Sequence, residues 1–184
     1  MWHRPYTAGF VDAWGTGTAT QAVQPGTSYA CDPNHLCQLI TQGAVTAQTF
    51  FGAGGEIGER QPFVVVETID FSRPSSNAAG AFCYPVAGDF SVTDSEDTSS
   101  MLVLHFQGQA CHLGSDTSGL LVIASYVATT DSTGRFQYVS GIGSMSLFSL
   151  IPSGTAPQNC HFFLAYSGNL RFATQQDLIG QASQ

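Results

Sequence analysis

Between residues 63 and 71 the chain alternates with period two. Phe63, Val65, Glu67, Ile69 and Phe71 fall on one face, and Val64, Val66, Thr68 and Asp70 on the other. That is the clearest strand pattern in the sequence. Met101 to Gln109 repeats it, with Leu102, Leu104 and Phe106 opposite Met101, Val103, His105 and Gln107. Leu120 to Thr129 is a strongly apolar strand, and Ala81 to Val86 a shorter one carrying Cys83. Val11 to Val23 and Leu39 to Phe51 complete the strands of the first half. Leu36, Leu39 and Ile40, after Asp32-Pro33, sit at helical spacing, which predicts one helical turn there, and Gln175 to Gly180 in the tail can form another that frays.

The last third of the chain fixes the architecture. Ser132 to Phe136 leading into Gly141 to Phe148, and Cys160 to Phe172, are two long strand-like runs, joined by Ile151-Pro152-Ser153-Gly154-Thr155-Ala156-Pro157, a hairpin pattern. Turn residues punctuate the rest: Gln24-Pro25-Gly26-Thr27, Gly52 to Arg60, Arg73 to Asn77, and the acidic stretch from Asp89 to Ser100. Cys111 to Asp116 also reads as a turn. About eight strands with little helix predict an all-β fold, an antiparallel β-barrel or sandwich. Closure into a barrel is the preferred form, because it removes edges that few charges are available to protect. The expected organisation is an N-terminal arm (1–10), a barrel domain (11–172) and a C-terminal tail (173–184).

Composition narrows the function classes. Only 10% of residues are charged, against about a quarter in an ordinary soluble protein. The net charge is −8 and there is no lysine. The arginines are scattered, so no basic stripe exists for phosphates, and nucleic acid is excluded as a partner. No apolar run reaches the ~20 residues of a membrane-spanning helix. Cys31, Cys37, Cys83, Cys111 and Cys160 include no Cys-x-x-Cys pair. In a lysine-free, acidic, Ser/Thr/Gly-rich chain they point to disulfides and to a secreted or periplasmic protein, with buried thiols as the alternative. Met1-Trp2-His3-Arg4-Pro5 has no apolar leader, so an exported protein is read here in its mature form. A Cys83–Cys111 bridge closes a loop of about 29 residues and contributes roughly 3 kcal/mol in the chain-entropy model; Cys31–Cys37 contributes less.

A resemblance enters on the glycines and aromatics of the last third. Thr133-Gly134-Arg135-Phe136, then Gly141-Ile142-Gly143-Ser144, then the long hairpin into Phe162 to Phe172, resemble the C-terminal half of allene oxide cyclase-like and dirigent-like barrels. The resemblance implies an eight-stranded barrel with an apolar cavity, often in a homo-oligomer. The catalytic residues of those families have no counterparts here, so no activity is carried over.

Candidate chemistry centres on Glu67. A carboxyl among Phe63, Val65, Ile69 and Phe71 has its charged form disfavoured and gains acid/base character. The bland alternative pairs it with Arg60 or Arg135, or turns it to solvent. Tyr126, Tyr138, Tyr166 and His105 are candidate ligand-binding residues, with ordinary packing as their alternative. His105, His112 and His161, with Glu67 or Asp70, have the right donors for a metal but no standard spacing. Asp94, Glu96 and Asp97 do not follow a calcium-loop order and read as a solvated turn. His3, third from a free amine, matches a square-planar copper geometry if the natural chain starts at Met1. The serines have no nucleophile elbow. No cofactor or metal is therefore expected. Three function classes follow: a barrel binding a small apolar molecule, a cyclase or isomerase working in the same cavity, and a self-assembling surface protein.

Overall fold

The computed structural model describes residues 7–22, 36–48, 60–77, 80–113, 116–150 and 158–171. They form β1 (Thr7–Ala22), β2 (Leu36–Gln48), β3 (Arg60–Asp70), β4 (Ser75–Ser76), β5 (Phe82–Thr93), β6 (Met101–Leu113), β7 (Asp116–Ala128), β8 (Ser140–Leu150) and β9 (Gln158–Arg171). All belong to one antiparallel sheet in the order β3-β2-β1-β9-β8-β7-β6-β5-β4. One further ladder joins β3 to β5, with Phe63 opposite Val92 and Ile69 opposite Val86. Each of the eight long strands thus has a partner on both sides, and the ladder returns to its start. The described residues contain no α-helix, only a 3-10 turn at Gly134–Phe136.

Burial follows the alternation. In β3, Phe63, Val65, Glu67 and Ile69 are buried while Pro62 and Val64 are exposed. In β6, Leu102, Leu104 and Phe106 are buried while His105 and Gln107 are exposed. The inner face also carries Leu39 of β2, Phe90 of β5, Val122 of β7, Leu147 of β8 and Leu170 of β9, which form one core. No helix or second sheet among the described residues covers that face. A single sheet that seals its own face does so by curling into a barrel. Each large side chain sealed inside contributes about 1.5–3 kcal/mol.

Two covalent links reinforce it. Cys83 and Cys111 are register partners on β5 and β6 and are joined by a disulfide. Cys37 is also disulfide-bonded and fully buried on β2. Its partner is outside the described residues, as is Cys31 of the expected Cys31–Cys37 pair.

Several boundaries differ from expectation. Leu36 to Ile40 is strand, not helix: Cys37, Leu39 and Thr41 point inward and β3 pairs the segment throughout. The spacing of Leu36, Leu39 and Ile40 mixes the two faces of one strand. β5 runs on to Thr93, through residues expected to be an acidic loop, because Gly88, Phe90 and Val92 continue the inward set while Asp89 faces solvent. β6 continues through Cys111 to Leu113, and β1 starts at Thr7, before the expected Val11. Ser75 and Ser76, expected in a turn, make the short β4 against Cys83 and Phe82. The expected turn at 24–27, the helix start at Asp32-Pro33, the loop at 52–59, the His3 site and the tail after Arg171 lie outside the described residues.

Candidate functional site

Register places the best sequence candidates on one level of the barrel. Leu39 pairs with Glu67, Glu67 with Gly88, Gly88 with Phe106, and Phe106 with Tyr126. Tyr126 then pairs with Gly143, and Gly143 with Gly168. Directly opposite residues share a face, so these positions form one inward belt. Glu67 is 1% exposed and Tyr126 3%. Glu67 is an inward residue, and Val64 and Val66 take the outer side. Phe71 has left the strand and packs edge-on against Tyr84, 4.6 Å between centroids.

Bulky and absent side chains alternate along the belt. Gly88 is required by close approach: a Cβ there would overlap the Val66 carbonyl oxygen and lie 2.9 Å from Phe106 Cζ. The Phe106 ring therefore lies across the strand that separates it from Glu67. Beyond Tyr126, two neighbouring strands present glycine, Gly143 and Gly168, and contribute no side chain at that level. Burial raises the Tyr126 pKa above its ordinary 10.0, so its hydroxyl stays protonated well into the alkaline range. The belt thus brings a carboxyl and a phenol into an apolar interior, a combination suited to fixing one polar end of an apolar molecule.

The other candidates do not join this belt. His105 is exposed on the outer wall, where its Nδ1 lies 2.9 Å from Asp89 Oδ1, a register partner on β5. Tyr138 is 53% exposed in the connection before β8. Tyr166 stands opposite Met145 in β9, and its side chain lies outside the described residues. His112 packs edge-on against Tyr84 at 5.6 Å, beside the Cys83–Cys111 bond, and its buried Nδ1 makes no hydrogen bond. Among the described residues, no three His, Cys, Asp or Glu side chains gather as a metal would need.

The acidic turn has a structural task. Asp97 Oδ1 accepts from Ser99 N–H at 3.1 Å and from the Ser99 hydroxyl at 2.6 Å, while Oδ2 accepts from the Ser100 hydroxyl at 2.6 Å. Asp94 is buried, and its Oδ1 accepts from Glu96 N–H. Sequence reasoning singled out Glu67 and Tyr126 but missed Asp89, Gly88 and the paired glycines. Asp89 lies 16 residues from His105, and no pattern in either strand alone reveals their register.

Two open troughs mark the outer wall. One, of about 610 Å³, crosses β6, β7 and β8 past His105, Gln107, Ser125 and Ser144. The other, of about 490 Å³, crosses β2, β3, β5 and β6 past Leu36, Thr68, Asp70 and Ala87. No family model matches the chain, and neither a curated protein nor a solved structure matches it.

Proposed function

We propose that the protein is an exported barrel that binds a small, mainly apolar molecule in its interior. The molecule sits beside Tyr126, and Glu67 and the Tyr126 hydroxyl fix its polar end. The observation that carries this reading is the belt itself. An ionisable carboxyl is held at 1% exposure, on one level with a buried phenol and with two adjacent glycines that contribute no side chain. A titratable carboxyl set deep inside a barrel beside a buried phenol is placed to serve as an acid, a base or a ligand anchor. The disulfides support an oxidising compartment, and the resemblance of the 133–172 region to allene oxide cyclase-like and dirigent-like barrels supports an interior cavity and a homo-oligomer.

A second reading rests on the same carboxyl. In a cyclase or isomerase, the shaped interior holds a reactive substrate in one conformation and Glu67 transfers the proton. Solvent extraction of protein purified from an oxidising compartment, followed by mass spectrometry, is expected to yield a stoichiometric apolar compound. An empty extract together with a large native assembly would replace the binding reading with a self-assembling one. Glu67→Gln then separates binder from enzyme. It is expected to leave affinity for the extracted compound within about threefold and, if the compound is turned over, to lower the rate by about a hundredfold or more.

A further inference from the structure

The outer wall of the barrel changes character between β6 and β7. On β5 and β6 it is polar, with Asp89, His105, Gln107 and Gln109 exposed. On β7 and β8 it is mostly apolar. Leu121 pairs with Phe148, Ile123 with Ser146, Ser125 with Ser144 and Val127 with Ile142. Five of these eight outward positions carry large apolar side chains. Ile123, Val127 and Ile142 are 57%, 44% and 71% exposed, where the solvated face of an antiparallel sheet is ordinarily polar.

Charge is absent from the same wall. Between Asp116 and Arg171 the only charged residues are Asp131 and Arg135, and both lie in the connection from β7 to β8. In β9 the register partners of Ile142, Ser144 and Ser146 are Asn169, Ser167 and Ala165, so the uncharged run extends to a third strand. Exposed aliphatic carbon without charge is the composition of the centre of a protein interface. The relief suits one as well. Val127 and Ile142 stand as a ridge beside the trough over Ser125.

Charge and symmetry select the occupant. The chain carries −8, so two copies repel wherever their acids face each other. The β7–β9 wall is where they can meet with no carboxylate apposed. In a two-fold contact such a wall meets itself. Aliphatic carbon then faces aliphatic carbon, and the ridge of each copy enters the trough of the other. A strongly charged partner would find no counter-charge on this wall. Strands β6 to β9 span roughly 14 Å and the rows from 121 to 127 roughly 20 Å, an area below that of a permanent dimer. We propose that the β7–β8 wall is a self-association face, through which two copies form a weak, reversible two-fold dimer. It does so independently of any molecule in the interior.

Sedimentation equilibrium from about 5 to about 500 µM at roughly neutral pH tests it. The mean mass is expected to rise from 19.4 kDa towards twice that value, with a Kd of about 10 to 500 µM. Raising the salt from about 0.05 to about 0.5 M screens the repulsion and is expected to tighten the dimer about threefold or more. Loosening would mean a contact held by ion pairs, and would overturn the assignment. Ile142→Glu and Ile123→Glu set carboxylates against the facing copy from exposed positions. Each is expected to weaken dimerisation at least about tenfold with an unchanged Tm. Val64→Glu alters an exposed aliphatic on β3 and is expected to dimerise as the parent does. The proposal is overturned if the chain stays monomeric at about 500 µM in high salt, or if the dimer survives both wall variants. Assembly beyond two copies also overturns it, because a two-fold contact closes at two. A monomer whose Ile142 amide shifts with phosphatidylcholine vesicles would give the face to a lipid surface instead.

Discussion

The two ends of the β5–β6 hairpin are held by different chemistry. At one end, Cys83 and Cys111 are bonded, and the Tyr84 ring stacks edge-on with Phe71 and His112. Covalent and aromatic contacts do the work there. At the other end, no covalent link exists among the described residues, and short polar side chains bind backbone instead. Asp97 organises the turn between β5 and β6. The buried Ser132 Oγ accepts from Val103 N–H at 2.9 Å, and Thr133 Oγ1 donates to Ser99 O at 2.8 Å while accepting from Met101 N–H at 3.2 Å. The segment after β7 is thereby stitched onto the β5–β6 turn, and Phe136 and Val139 are buried beneath it. A strand end can be locked by one bond that limits the unfolded chain, or by many weak bonds that each require exact backbone placement. The second kind tolerates less local change.

The largest expected effect breaks the covalent end. Cys83→Ala with Cys111→Ala releases a loop with a sequence separation of 28, and the chain-entropy model expects a loss of roughly 3 to 4 kcal/mol. Chemical denaturation of the double variant measures it. A loss below about 1 kcal/mol would mean that the β5–β6 ladder already fixes this end. Gly134→Ala is the matching break at the polar end. Gly134 has φ 57°, and a Cβ there would overlap Ser100 Oγ and lie 2.7 Å from Ser100 Cα. A left-handed backbone and a blocked space together are expected to cost about 2 to 3 kcal/mol. A cost under about 0.5 kcal/mol would show that the stitched segment moves away freely and does not hold the barrel end.

These two ends differ as much in legibility as in chemistry. The disulfide could be named as a candidate from the sequence, since cysteines are few and each stands out. The face of β3 was equally open, because Phe63, Val65 and Ile69 alternate with polar or smaller neighbours, and Glu67 falls into phase with them. The second half of β5 is hidden in the sequence because its inward set includes Gly88, which carries no hydrophobic signal, while Asp89, Ser91 and Thr93 supply a polar one. Leu36 to Ile40 hides its strand, because three apolar residues on both faces of a strand imitate a helical stripe. The polar end was least legible: Asp97, Ser132 and Thr133 look like loop filler until the fold sets Thr133 beside Ser99, 34 residues away. The belt was half legible. Periodicity gave Glu67 its face, but only register puts it on one level with Tyr126 and the paired glycines.

The smallest expected effect sharpens the comparison by improving the polar end. Tyr138 is the one non-glycine residue with positive φ among the described residues, at 67°, and its side chain is 53% exposed. An L-residue with a Cβ pays roughly 1 to 2 kcal/mol in this region, and Asn is better suited to it than an aromatic. The turn exists because Phe136 and Val139 must both point inward on either side of it, and Val139 N–H closes onto Phe136 O at 3.0 Å. Tyr138→Asn is therefore expected to stabilise the protein by up to about 1 kcal/mol, read as a small rise in Tm. A loss of stability would show that the Tyr138 ring makes a contact worth more than its backbone strain. Combined with Gly134→Ala, the gain is expected to shrink, because both residues shape the same turn and their effects should not add. The disulfide variant, at the far end of the hairpin, is expected to leave the gain intact.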